Sequence, residues 1–219
     1  MAVSNNYNEL NFDKVFFNYL KLNKAKFQRY NSWNHCYRSF GDKSLNNDTL
    51  ALHLGFYLAS WGMYRGSSNL LERDYKVHIQ AVEIINNYRQ LRCDKYNEIS
   101  SDKLNDILNL VSELSIYYKK RHNVTPTDTL ISKIILGSLG CLPAFDRFFI
   151  DGVNNQKFSF KTLKRKSLLN LFDFYEDNKQ ELEAIKLHHP QYPIMKIIDM
   201  YFWQIGYDIT NTKNKNGKT

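Results

Sequence analysis

The chain has 219 residues, of which 43% are hydrophobic and 24% charged, and it carries 15 Tyr, 14 Phe and 3 Trp. That length and balance suit one sizeable core, or two small lobes sharing one, and exclude an intrinsically disordered chain. The formal charge of +8 and a pI near 9.2 favour a polyanionic partner such as nucleic acid, or simply solubility; charge alone does not separate the two.

No run of eighteen or so uncharged apolar residues exists, so no membrane span is expected. The opening MAVSNNYNEL lacks the basic-then-apolar pattern of a signal peptide. Cys36, Cys93 and Cys141 are odd in number, far apart and without metal-like spacing, which reads as a reducing, cytoplasmic setting.

Taken in order, apolar positions Leu10, Phe12, Val15, Phe16, Tyr19, Leu20 and Phe27 predict an amphipathic helix from about Asn8 to Tyr30. Asn31 to Asn47 reads as a loop, with Gly41-Asp42-Lys43-Ser44 as turn chemistry. Asp48 is the expected cap of a nearly all-apolar, central helix through Ala59. That helix runs into Ser60-Trp61-Gly62-Met63-Tyr64-Arg65-Gly66-Ser67-Ser68, where two glycines suggest close approach by a ligand or another backbone. A helix is expected from Glu72 to Tyr88, and Ser101 is the expected cap of an amphipathic helix ending in Lys119-Lys120-Arg121.

The central stretch is Thr125 to Asp151. It predicts a turn, a helix from about Asp128 to Leu136, a Gly-rich break (Gly137, Gly140, Pro143), and a second helix opened by Asp146. Lys133 lies in the otherwise apolar run of the first of these helices, where burial disfavours its charged form unless it has a partner or a task. Asp146 is placed to cap the second. Further on, Lys161 to Lys166 opens a long helix through Leu182, His188-His189-Pro190 breaks it, and Pro193 starts the last helix. Thr210 to Thr219 is polar and basic, a tail expected to fray. No alternating strand run occurs, so the fold class is all-α, of about nine helices, with one domain over residues 1–210, in one lobe or two with a cleft between, and a flexible tail at 211–219.

Ser132-Lys133 in the helix after Thr125-Pro126-Thr127, with Leu142-Pro143-Ala144-Phe145-Asp146 opening the next helix, resembles the helix-hairpin-helix DNA glycosylase superfamily, in particular its 8-oxoguanine glycosylase-like branch. The resemblance covers about the middle half of the chain. It implies excision of a damaged or modified base by cleavage of its N-glycosidic bond after base flipping, without metal or organic cofactor. Lys133 would attack the sugar carbon and Asp146 would stabilise the developing positive charge or activate the amine. Oxidised purines are the family default, and modified foreign DNA such as phage DNA suits a short, divergent member. DNA is the implied partner and a monomer the implied state. Where the family has hairpin glycines this chain reads Asn123-Val124-Thr125-Pro126-Thr127-Asp128, and the gap from Lys133 to Asp146 is shorter than in well-known members.

Each candidate has a plainer reading beside the functional one. Lys133 snorkels to water or reacts; Asp146 caps a helix whatever else it does. Ser60, Trp61, Tyr64 and Arg65 clamp a base or pack in the core. Lys119, Lys120, Arg121, Lys164, Arg165 and Lys166 grip phosphates or form solvated faces. His188-His189 lacks further ligands, so no metal is expected, and no Gly-rich nucleotide loop is present. The competing function is a non-catalytic helical module that binds nucleic acid or a protein.

Overall fold

A computed structural model describes residues 10–23, 27–65, 69–94 and 98–216. Among the described residues there are ten α-helices, three short 3-10 turns and no strand, so the protein is all-α. No helix among them is long and apolar enough to cross a membrane.

The first part of the first expected helix is α1 (Phe12–Asn23), and residues 24–26 lie outside the described residues. The stretch after Tyr30, which the sequence reads as a loop, is a helix instead: α2 (Asn31–Gly41). Trp33, Cys36, Tyr37 and Phe40 follow helical spacing and are all buried, and burying that face outweighs the weak helix propensity of the Asn, Ser and His between them. The central helix α3 (Asn47–Ser60) is capped by Asn46 rather than Asp48: Asn46 Oδ1 accepts from Thr49 N at 2.9 Å, and Asp48 accepts from the Tyr75 hydroxyl at 3.2 Å.

The helix expected from Glu72 to Tyr88 is shorter and broken. A 3-10 turn at Tyr75–His78 leads into α4 (Ile79–Asn86), and a second follows at Arg89–Leu91. The next helix, α5 (Leu104–His122), starts after a 3-10 turn at Ser101–Lys103 and has no side-chain cap, so Ser101 does not have the expected role. Near the expected positions come α6 (Asp128–Ser138) and α7 (Arg147–Asn155). The long helix expected from Lys161 is two, α8 (Arg165–Asp177) and α9 (Lys179–His188). Residues 161–164 form a turn in which Ser167 Oγ accepts from Lys161 N and Thr162 N. The last helix, α10 (Ile194–Asn216), continues well past the expected start of the tail. Thr210 and Thr212 bond back to the Gly206 and Asp208 carbonyls within it. Residues 217–219 lie outside the described residues.

Buried residues from Phe12 to Trp203 join in one hydrophobic cluster. On one side Phe149, Phe158, Phe160, Phe174 and Phe202 interlock, with ring centroids 4.8–6.3 Å apart. Phe158 is partly buried, and each of the four fully buried rings contributes roughly 1.5–3 kcal/mol. The closest helix contact is α7 on α10. A Cβ built on Gly152 would lie 1.9 Å from the Phe202 carbonyl oxygen, and one on Gly206 would lie 1.9 Å from that of Phe148. Two glycines, one on each helix, let the backbones touch, and this contact fixes α7, with Asp146 at its head, against α10.

Candidate functional site

The site is built on α6. Thr127 caps it, accepting from Leu130 N at 3.2 Å, and every residue from Leu130 to Ser138 is buried. This helix grips the chain ahead of Asp146: Ser132 Oγ accepts from Phe145 N at 2.8 Å, and Thr129 Oγ1 donates to Phe145 O at 2.8 Å. From the opposite side, Asp199 Oδ1 on α10 accepts from Ala144 N at 3.0 Å. The peptide units at 144 and 145 are therefore held by two helices, and Asp146 emerges in a fixed place.

Asp146 serves two partners. Its Oδ1 accepts from Phe149 N at 3.1 Å and caps α7, and its Oδ2 lies 2.7 Å from Lys133 Nζ. The Lys133 side chain is 4% exposed and that of Asp146 14%, so Lys133 does not snorkel to water. Arg147 turns away to pair with Asp151 at 3.6 Å and leaves Asp146 to the lysine. Trp61, the first residue past α3, roofs the pair, with its ring centroid 4.8 Å from Lys133 Nζ. Tyr30 meets the Trp61 ring edge-on at 5.6 Å and Trp203 at 5.8 Å, and Tyr207 stacks on Trp203 at 5.0 Å.

A second ion pair, which the sequence reading passed over, sits beside the first. Lys196 Nζ lies 2.7 Å from Asp199 Oδ2, with both side chains almost fully buried. Its ammonium faces the Trp33, Tyr19 and Trp61 rings at 5.2, 5.4 and 6.0 Å. The signal was available: a lysine and an aspartate three residues apart inside the apolar run from Ile194 to Trp203 mark a charge pair as plainly as Lys133 does. Burial and then the Asp199 carboxylate hold the phenols of Tyr19 and Tyr57 well above their ordinary pKa, so both stay neutral. Both pairs, with Tyr57, Trp61 and Trp203, enclose a cavity of about 10 Å3, the room of about one water. The indole N–H groups of Trp61 and Trp203 are buried and have no acceptor among the described residues, a rare condition in a protein interior.

Of the other candidates, Ser60 bonds back to Phe56 O at 2.8 Å. Tyr64 is directed away from the lysine: its hydroxyl lies 2.9 Å from His78 Nε2, and His78 Nδ1 lies 2.6 Å from the Tyr118 hydroxyl. Arg65 is exposed, and Gly66, Ser67 and Ser68 lie outside the described residues. Lys119, Lys120 and Arg121 are exposed at the end of α5. Lys164, Arg165 and Lys166 are exposed at the start of α8, where Arg165 donates to Asn105 Oδ1 at 2.6 Å. None of these six basic residues lines the cavity. His189 packs on Phe16 at 5.1 Å, and no group of His, Cys, Asp and Glu able to hold a metal occurs among the described residues.

Fold and site together define an all-helical protein with a buried amine–carboxylate pair under an aromatic roof. No family model, no curated protein and no solved structure matches the chain.

Proposed function

We propose that the chain is a helix-hairpin-helix DNA glycosylase-like enzyme that excises a damaged or modified base, with Lys133 as nucleophile and Asp146 as its partner. The observation that carries this reading is the 2.7 Å contact between Lys133 Nζ and Asp146 Oδ2 beneath Trp61. An amine attacks only after losing its proton, and Asp146 Oδ2 is in place to take it. Nζ then bonds to the anomeric carbon while the carbon–nitrogen bond to the base breaks, the bonding electrons leaving with the base as it gains a proton. Handing that proton on to the departing base returns Asp146 to its ionised form, which then stabilises the cationic sugar.

Three further observations support the reading. Asn123 at φ 51° ends α5 and Thr127 caps α6, so two helices joined by a short connection occupy the stretch where the family has its hairpin. Trp61, only partly buried, is the ring a flat base could stack on, and its N–H has no acceptor among the described residues. Exposed basic residues at the ends of α5 and α8 suit DNA phosphates. Modified or damaged bases, including those of foreign DNA, are the substrate class.

The test is base release. Protein and DNA carrying oxidised, alkylated, deaminated or glucosylated bases are incubated, and free bases and abasic sites are read by mass spectrometry. One base should be released by wild type and by neither Lys133→Ala nor Asp146→Asn, and borohydride should trap a covalent adduct on Lys133. The small size of the cavity favours one second reading, a helical module that binds nucleic acid without chemistry. No release from any DNA, with salt-dependent binding that Lys133→Ala leaves intact, would select it.

A further inference from the structure

The cavity beside Lys133 holds about one water, so no sugar carbon meets Nζ while Trp61 stays where it is. The backbone at Trp61, Gly62 and Met63 is tied to the end of α3, donating to the Tyr57, Ala59 and Leu58 carbonyls at 3.2, 3.0 and 2.9 Å, so the part free to move is the Trp61 ring. Its N–H has no acceptor among the described residues. The ring is kept by edge contacts with Tyr30 and Trp203 and by three cations, the buried Lys133 and Lys196 ammonium groups at 4.8 and 6.0 Å and the exposed Arg29 guanidinium at 5.2 Å. Gly62 follows at φ 76° with nothing within 4 Å of where a Cβ would be, so the chain can turn there without a clash. Two residues on, the Tyr64 hydroxyl is tied to His78, which with the backbone bonds confines movement to the Trp61 ring.

Arg29 stands out on the solvent side of this roof. Its guanidinium spans the Trp61 and Tyr30 rings at 5.2 and 5.5 Å, and it pairs with no carboxylate among the described residues. A phosphate diester offers a guanidinium two charge-assisted hydrogen bonds, a stronger attraction than an exposed ring face. We propose that Arg29 is a phosphate-binding residue at the mouth of the site, and that a nucleic-acid phosphate, by drawing Arg29 off Trp61, uncovers Lys133. This rests on Lys133 as the reacting amine, and it makes the amine accessible only when nucleic acid is bound.

The experiment labels Lys133 with a small aldehyde, so it needs no base excision. Glycolaldehyde and cyanoborohydride are added to the protein. The amine and aldehyde condense to an imine with loss of water, and hydride from the reductant with a proton from water converts it to a stable secondary amine. Peptide mass spectrometry reads the rate at Lys133, with and without a duplex carrying a tetrahydrofuran abasic analogue, which offers phosphates but neither base nor aldehyde. Wild type should label at least tenfold faster with the duplex. Arg29→Ala, at an exposed position, should label at one rate with or without it, and Trp61→Ala should label fast in its absence, each fold being checked by circular dichroism. Equal wild-type rates with and without duplex would overturn the proposal, as would full duplex stimulation in Arg29→Ala or slow labelling in Trp61→Ala. A chain that uncovers Lys133 on DNA but releases no base keeps this proposal and loses the glycosylase reading.

Discussion

Asp146→Asn and Lys133→Met test whether the buried pair is real and how it divides its cost. Asn keeps a side-chain oxygen for Phe149 N and so retains the cap of α7, but it leaves the Lys133 ammonium, 4% exposed, without its counter-charge. Removing one partner of a buried pair costs about 3–5 kcal/mol, and the 14% exposure of Asp146 admits some solvent, so about 3 kcal/mol is expected. Lys133→Met fills similar space against Trp61, Tyr57 and Leu136 and leaves Asp146 its backbone donor and its edge of solvent, so it should cost about 1 kcal/mol. The double variant removes both charges and should lie within about 1 kcal/mol of wild type, a coupling of about 3 kcal/mol. Urea unfolding followed by circular dichroism at pH 7 measures all four proteins, with unchanged m-values as the check that the same transition is seen. Costs that simply add, within about 0.5 kcal/mol, would refute the pairing and with it the geometry on which the proposed chemistry rests.

Three other outcomes follow from features away from the pair. Gly152→Ala places a Cβ 1.9 Å from the Phe202 carbonyl, so α7 and α10 must separate; a loss of about 3 kcal/mol, or roughly 6–12 °C in Tm, is expected by thermal melting. His78 is held between two tyrosine hydroxyls, and burial lowers its pKa to about 3. An unfolded histidine takes up its proton near pH 6.5 and the folded one does not, so stability falls as pH drops from 6.5 towards 3, by about 2 kcal/mol between pH 7 and pH 5. His78→Gln should flatten that slope in urea titrations at the two pH values, and a wild-type slope it leaves unchanged would assign the loss to another group. If Lys119, Lys120 and Arg121 grip phosphates, their combined replacement by alanine lowers the slope of log K against log salt for duplex binding by up to about 3; an unchanged slope makes the run a solvated face.

The buried pair was legible because both of its signals are local. A lysine among Ile131, Ile134, Ile135 and Leu136 needs a partner, and a carboxylate two residues past the Pro143-Ala144 break is a cap. That Lys133 and Asp146 meet is a tertiary fact, set by Ser132, Thr129 and Asp199 holding the intervening backbone. Helix α2 was hidden by its polar composition, although Trp33, Cys36, Tyr37 and Phe40 keep helical spacing. Trp203 reads as core and is core, and only the structure sets it beside Trp61 with an unsatisfied N–H. Nothing local distinguishes Trp61, over the lysine, from Tyr64, three residues on and bonded to His78. Gly62 lies between them at positive φ and reverses the direction of the chain.

The glycine contact between α7 and α10 has a consequence for how such a protein can change. Asp146 is locked to α10 by Gly152 and Gly206, and α6 is clamped to the same assembly through Phe145. The amine and both carboxylates therefore belong to one stiff block, while the roof is a few residues at the end of α3. Substitutions at Arg29 or from Trp61 to Met63 can reshape the roof while leaving the buried charges in register. If the pair reacts as proposed, a lineage built this way can exchange one substrate for another by altering its doorway, with the machinery behind it inherited unchanged.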